Sequence, residues 1–307
     1  QSAGFPALEF IDEWGPEDSV LLFSYFKGNG EDGLHLAYST DGLRWHTLKN
    51  DSSFLRPMVA KDRLMRDPCI VRGGDGNFHM VWTVSWNDRG IGYAWSKDLI
   101  NWSEQVFIPV MQHEPDALNT WAPEIFYDAA SKQYLIYWSS TIPGRFPETD
   151  GAGDEKYNHR IYYTVTRDFK SFRPTALLYD RGFNVIDASI YKVGAEYIML
   201  LKDETLKPVA QKNIRIARSR KLTGPYSAPS APISGEKWAE GPTMTHHQGY
   251  WWLYFDLYAD GRYACLRSKD LRKWDEFTQQ LQFPAGARHG TVIKISREEL
   301  LRLQNYR

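Results

Sequence analysis

The chain has 307 residues and carries 37 Lys and Arg against 38 Asp and Glu, for a net charge of -1. That balance removes any electrostatic case for nucleic acid or an anionic membrane as partner, and no apolar run reaches the roughly 20 residues that span a bilayer. Aromatic residues make up 15% of the chain, with 12 Trp and 18 Tyr, a content that favours β-sheet and supplies flat faces suited to sugar rings. A chain of this length buries about 75% of the surface it exposes when unfolded. It therefore needs no disulfide, metal or cofactor to be stable, and residues 1–307 read as one domain, expected to be a monomer. Cys69 and Cys265 read as buried free thiols. The chain begins at Gln1, which suits a trimmed N-terminus and a secreted, periplasmic or cell-surface protein.

Taken in order, the first strand signal is 20–26 (VLLFSYF). It is followed by 34–45 (LHLAYSTDGLRW), which is an alternating strand, then Ser/Thr-x-Asp, then a bulky aromatic. This pair recurs at 78–86 with 91–102, at 133–140 with 161–172, and at 250–258 with 263–274. A weaker copy, 196–202 with 214–226, lacks the Asp. Alternation or unbroken apolar character over these lengths argues for strands. The Gly/Pro/Asp-rich stretch 143–153 reads as a long loop. A further short strand stands before each pair except the first, headed in turn by Asp67, Glu124, Asp187 and Glu240. A fifth head, His289, has only TVIKI after it. A fourth, outer strand is expected after each copy, for example over 104–110.

Internal repeats of this kind bury both faces of each sheet by radial packing. The prediction is an all-β, five-bladed propeller with four-stranded blades. The first unit lacks a head strand and the last head lacks its followers, so the C-terminal strand should pair with 20–26 and close the ring. Closure also removes an exposed edge. A helical turn is expected over 297–307. The five heads should occupy equivalent places and meet at one rim of the channel. Clustered carboxyls cannot all ionise freely, so some hold their protons to higher pH, as general acid catalysis near neutrality requires. Glycoside hydrolysis needs two such groups.

The heads read RDPCI, WAPEI, IDASI, EGPTM and RHGTV. This ordered set is similar to that of glycoside hydrolase family 43, the five-bladed propeller arabinofuranosidases, arabinanases, xylosidases and galactanases, and the resemblance runs from Asp67 to Ile295. It implies that Asp67 is the general base, Glu240 the general acid, and Asp187 the third carboxylate that positions the acid. Glu124 stands where the family's WAP motif usually continues with Asp, and Ala188 replaces a more usual Pro. Glu124 is taken as a rim or substrate contact, together with Arg288 and His289. His289 matches an axial His, which raises the expectation of a structural Ca2+ beside it. Trp86, Trp121 and Phe183 are the stacking candidates for the sugar. The implied activity is an inverting, exo-acting hydrolase of plant-type poly- or oligosaccharide, an α-L-arabinofuranosidase first, an exo-β-1,3-galactanase or β-xylosidase next. The reading from another class is a propeller that binds sugar without cleaving it, since fold does not fix function. The loops 86–90, 143–158 and 202–213 should decide which sugar fits.

Overall fold

The computed structural model describes residues 19–307. The chain forms strands β1 (Val20–Phe26), β2 (His35–Ser39) and β3 (His46–Thr47), then β4 (Arg66–Arg72), β5 (Phe78–Thr83), β6 (Ile91–Ser96) and β7 (Val106–Ile108). Next come β8 (Trp121–Asp128), β9 (Gln133–Ser140), β10 (Arg160–Thr166) and β11 (Ala176–Tyr179), followed by β12 (Val185–Val193), β13 (Glu196–Asp203) and β14 (Asn213–Ser219). The chain ends with β15 (Glu240–His247), β16 (Tyr250–Leu257), β17 (Arg262–Ser268), β18 (Asp275–Glu276), β19 (Arg288–Ile295) and helix α1 (Arg297–Asn305). These strands pair antiparallel into five sheets, the blades of a propeller. In the blade of β12, β13 and β14 the outermost place is held by an irregular segment. There the amides of Ser227, Ser230 and Ile233 donate to carbonyls of β14 at 2.8–2.9 Å.

The ring closes as expected. β19 is the innermost strand of the fifth blade and pairs with β1, Val20 opposite Ile295 and Ser24 opposite Thr291. Helix α1 follows at once, started by a capping box between Ser296 and Glu299. Its Leu300 and Leu303 sink into the seam between the first and last blades.

The apolar interior is not one core but five clusters, each filling the gap between two neighbouring blades. Phe23, Tyr25 and Trp45 meet Trp252, Tyr254 and Phe283 in one of them, with rings in edge and stacked contacts at 4.7–6.2 Å. The aromatic richness of the sequence is mostly spent in these gaps, where large flat side chains fill a wedge between twisted sheets. The Ser/Thr-x-Asp repeat is a turn. At its second copy Ser96 Oγ accepts from the Leu99 amide at 2.9 Å, and Asp98 Oδ1 accepts from Ile100 and Asn101 at 2.9 and 2.7 Å. Those bonds hold Leu99 in the left-handed region at φ 66°. They occupy the polar atoms of the repeat, so it does no chemistry.

Candidate active site

Every inner strand carries the same irregularity. The pairing of β4 with β5 jumps between Arg66 and Cys69, that of β8 with β9 between Trp121 and Glu124, that of β12 with β13 between Ile186 and Ser189, and that of β15 with β16 between Glu240 and Thr243. The β1–β19 pair slips at the matching place, between Arg288 and Thr291. A bulge of this type re-aims a side chain, and bulges gather beside active sites. At the bulge Asp67, Ala122, Asp187 and Gly241 all adopt positive φ, from 49° to 59°. For the three that carry a Cβ, this is a strained conformation that surrounding structure must impose. At Gly241 a Cβ would also lie 2.5 Å from Cγ of His289, so glycine is required there on two counts.

This register corrects the expectation that the five heads are equivalent. The positions that match are Asp67, Ala122, Asp187, Gly241 and His289. Glu240 lies one residue earlier, beside Arg66, Trp121, Ile186 and Arg288. Glu124 lies two residues further along its strand, in line with Cys69, Ser189, Thr243 and Thr291. Because those two residues carry it past the bulge, Glu124 does not reach the rim. It is 6% exposed and lines a second cavity at the other end of the channel, with Cys69 Sγ 3.3 Å from its Oε2. Burial pushes its carboxyl up to about 8, against the pull of the His289 charge. Phe183 is corrected too: it packs against the cluster between the second and third blades, edge-on to Tyr179.

The remaining predicted residues meet in one cleft of about 370 Å³. Asp67, Asp187, Glu240 and His289 form its floor, and Trp86 and Trp121 stand on one wall. Thr83 Oγ1 donates to Asp67 Oδ2 at 2.7 Å and accepts from the Ala122 amide at 2.8 Å, so two blades fix one carboxylate. Asp67 Oδ1 lies 3.3 Å from Nδ1 of His289. The same nitrogen is 3.7 Å from Asp187 Oδ2, which accepts from the Gly241 amide at 2.9 Å. Asp187 thus grips the backbone next to Glu240. Glu240 itself lies between Lys202 Nζ at 3.8 Å and Arg288 Nη2 at 3.7 Å.

Three shifts mark this floor. Burial raises Asp187 to about 6, against the pull of the His289 charge. Burial alone would lower His289, but Asp187 and Asp67 outweigh it and hold the imidazole above its usual value. Asp256, opposite Glu240 across the β15–β16 pair, is raised to about 7 by burial and then by the charge of Glu240; its Oδ2 accepts from the His289 amide at 3.2 Å. Such displaced carboxyls beside one another are the signature of acid–base sites.

A calcium at His289 does not fit these residues. Its Nδ1 faces two carboxylates, whose charges raise the imidazole above its usual value against the effect of burial. Among the described residues no group of three His, Cys, Asp or Glu has metal-binding geometry, whereas Ca2+ takes six to eight oxygens.

Several residues in or around the cleft were not legible beforehand. Asp256 stood as a lone acid in the aromatic run 250–258, and Lys202 as a lone cation ending an apolar strand; each was a signal of a special environment. Tyr157 and His159 come from the long loop after β9, pressed against Trp121 with ring centres 4.7 Å away. Buried Arg160 anchors that loop. Its Nη2 donates to Thr149 and its Nη1 to Asn158, at 2.9 and 3.0 Å, and its Nε pairs with Asp180 at 2.7 Å. Trp86 leaves the end of β5 and is held by its indole N–H to Asn29 at 2.9 Å, beneath the guanidinium of Arg66.

A family model described as "Probable glycosyl hydrolase domain", the one related to family 43, matches residues 18–300. The chain belongs to this glycosyl hydrolase family. Among curated proteins it is similar to an α-L-arabinofuranosidase of Bifidobacterium longum, 24% identical over 193 residues, which are 54% of this chain and 18% of that one. This chain thus spans less than a fifth of that relative. Among solved structures of this fold, a thermostable family-43 glycoside hydrolase superposes with a TM-score of 0.54 at 17% identity, covering 73% of this chain and 78% of the other. An exo-β-1,3-galactanase of Phanerochaete chrysosporium does so at 0.53 and 14%, covering 76% and 52%. No helix among the described residues is long and apolar enough to cross a membrane.

Proposed function

We propose that this family-43-related hydrolase is an inverting, exo-acting glycosidase, with an α-L-arabinofuranoside as first-choice substrate. The observation that carries the reading is the meeting of Asp67, Asp187 and Glu240, from three blades, on the floor of one aromatic-walled cleft. Asp67 accepts the proton of the attacking water. Thr83 and His289 hold its two oxygens, and each oxygen keeps a lone pair for the water. Glu240 donates a proton to the leaving oxygen, and Asp187 fixes the strand start that bears it. The inner strands of Asp67 and Glu240 are separated in the ring by β19. That favours the wide carboxyl spacing, ~6.5–9.5 Å, in which a water fits beside the sugar. Trp86 and Trp121 offer faces for the ring. The arabinose choice is supported by the curated relative named above; the galactanase neighbour makes β-1,3-galactan the second candidate and β-xylosides the third.

The test is a screen of nitrophenyl arabinofuranoside, xyloside and galactoside together with arabinan, xylan and galactan. It is followed by the kinetics of Asp67→Asn and Glu240→Gln on the best oligosaccharide. Each variant should lose about 1000-fold or more in kcat while unfolding at the wild-type temperature. NMR of the first-formed sugar should show the opposite anomer. Near-normal turnover in either variant removes the mechanism, and a retained anomer removes water attack. A cleft that binds sugar and never cleaves it would make the chain a binding propeller.

A further inference from the structure

One wall of the cleft is a single file of side chains with alternating charge. Asp154, on the loop after β9, pairs with the Lys212 ammonium, and Lys212 pairs in turn with Glu204. Glu204 lies 3.3 Å from Lys202, Lys202 lies 3.8 Å from Glu240, and Glu240 lies 3.7 Å from Arg288. Both lysines are 2% exposed and Glu204 is 7% exposed. The Lys202 ammonium sits over the Tyr258 ring at 4.5 Å, with the phenol oxygen 3.3 Å away. Glu204 already has one ammonium on it, so neutralising Glu204 does not account for Lys202. A desolvated ammonium is costly unless its charge is used or matched; the carboxylates left to it are Asp187 and, nearer in effect and 3.8 Å away, Glu240, assigned above as the acid.

We propose that Lys202 is a positioning residue for the general acid, holding Glu240 toward the cleft and stabilising the carboxylate it becomes when its proton leaves, with Glu204 and Lys212 dividing that positive charge. The inference rests on the reading of Glu240 given under the proposed function. In the step concerned, the Glu240 O–H bond breaks and its proton bonds to the glycosidic oxygen. The C–O bond breaks with its electron pair going to that oxygen, and water adds to the anomeric carbon and gives its proton to Asp67. A negative charge appears on Glu240 at the moment the leaving group departs, next to a buried cation, where such an attraction is stronger than in bulk solvent. The file also links this charge to Asp154, and through it to the loop that supplies Tyr157 to the cleft.

The test compares two leaving groups, since only a poor one needs the acid. The probes are an arabino-oligosaccharide and a dinitrophenyl arabinofuranoside, or the corresponding pair for the sugar the screen selects. In Lys202→Met, kcat on the oligosaccharide should fall about tenfold and the alkaline limb of kcat/KM should move to higher pH. The dinitrophenyl substrate should be turned over within about twofold of wild type. Lys202→Arg should restore most of the loss. Glu204→Gln should move the alkaline limb the opposite way, because the Lys202 charge is then no longer offset by Glu204. A Lys202→Met profile that overlays wild type, or an equal loss on both substrates, overturns the proposal. If Lys202→Met does not fold, Glu204→Gln decides: an unmoved limb overturns it. Full activity of Glu240→Gln would instead remove the underlying assignment of the acid. Inactive Glu240→Gln with unchanged Lys202→Met removes only this inference.

Discussion

At one mouth of the channel Asp67, Asp187 and Glu240 surround His289, within reach of Lys202 and Arg288. At the other mouth Glu124 lies beside Cys69, in a cavity lined by Ile125, Tyr191 and Thr291. The strands are the same five, and the residues concerned lie two or three positions apart along them. The first set is fixed by charges of opposite sign and has open space before it. The second is a single deeply buried carboxyl with a thiol against it, and burial outweighs the pull of the His289 charge and raises it to about 8. The place of an acid relative to the bulge therefore decides which mouth of the channel it faces.

The sharpest way to break this contrast is to neutralise one acid at each mouth. Asp187→Asn should lower kcat about 100-fold, because Gly241 and His289 lose a charged partner, whereas Glu124→Gln should leave kcat within about threefold. Equal losses, measured on the same oligosaccharide, would abolish the distinction.

Stability against pH separates the mouths a second way. Glu124 rises from 4.5 to about 8 and Asp187 from 3.8 to about 6 on folding. The folded state then binds more protons than the unfolded one between those values, so stability falls as pH rises through that window. Raised His289 acts in the same direction, since its contribution is lost as pH climbs. Urea unfolding at pH 5 and pH 8 should show wild type losing more stability than Glu124→Gln, by about 1–3 kcal/mol. Parallel pH slopes for the two proteins would contradict the protonated state assigned to Glu124.

The smallest effect concerns the aromatic wall. Trp86→Ala should raise KM about tenfold, a loss on the order of 1 kcal/mol, with kcat little changed. Phe183→Ala should leave KM alone and lower the unfolding temperature instead, because Phe183 packs between blades. A KM effect from Phe183 would put it back at the substrate.

The blades were legible because strand alternation and the Ser/Thr-x-Asp turn are local patterns. Val20–Phe26 and Gln133–Ser140 begin and end where the apolar pattern does. Ring closure was legible because one unit lacked its first strand and another had nothing else. Equivalence among the heads was misread because a motif such as WAPEI fixes the order of residues but not which of them sits in the bulge. Ala122, not Glu124, occupies that place, and no side chain marks it. Lys202 and Asp256 were hidden inside strands whose apolar neighbours explained the pattern without them.

The sequence by itself determined five repeats of sheet and their closure by the last strand, which follow from spacing along the chain, and a set of head carboxyls from which the family resemblance singled out Asp67, Asp187 and Glu240. Only the tertiary structure decided which acids face the cleft, that His289 stands between two of them, and that Lys202 and Arg288 flank Glu240. Those facts depend on where a one-residue slip in strand pairing turns each side chain, and on charges brought together from different blades, as those of His289 and Asp187 are. Neither is encoded in any local stretch.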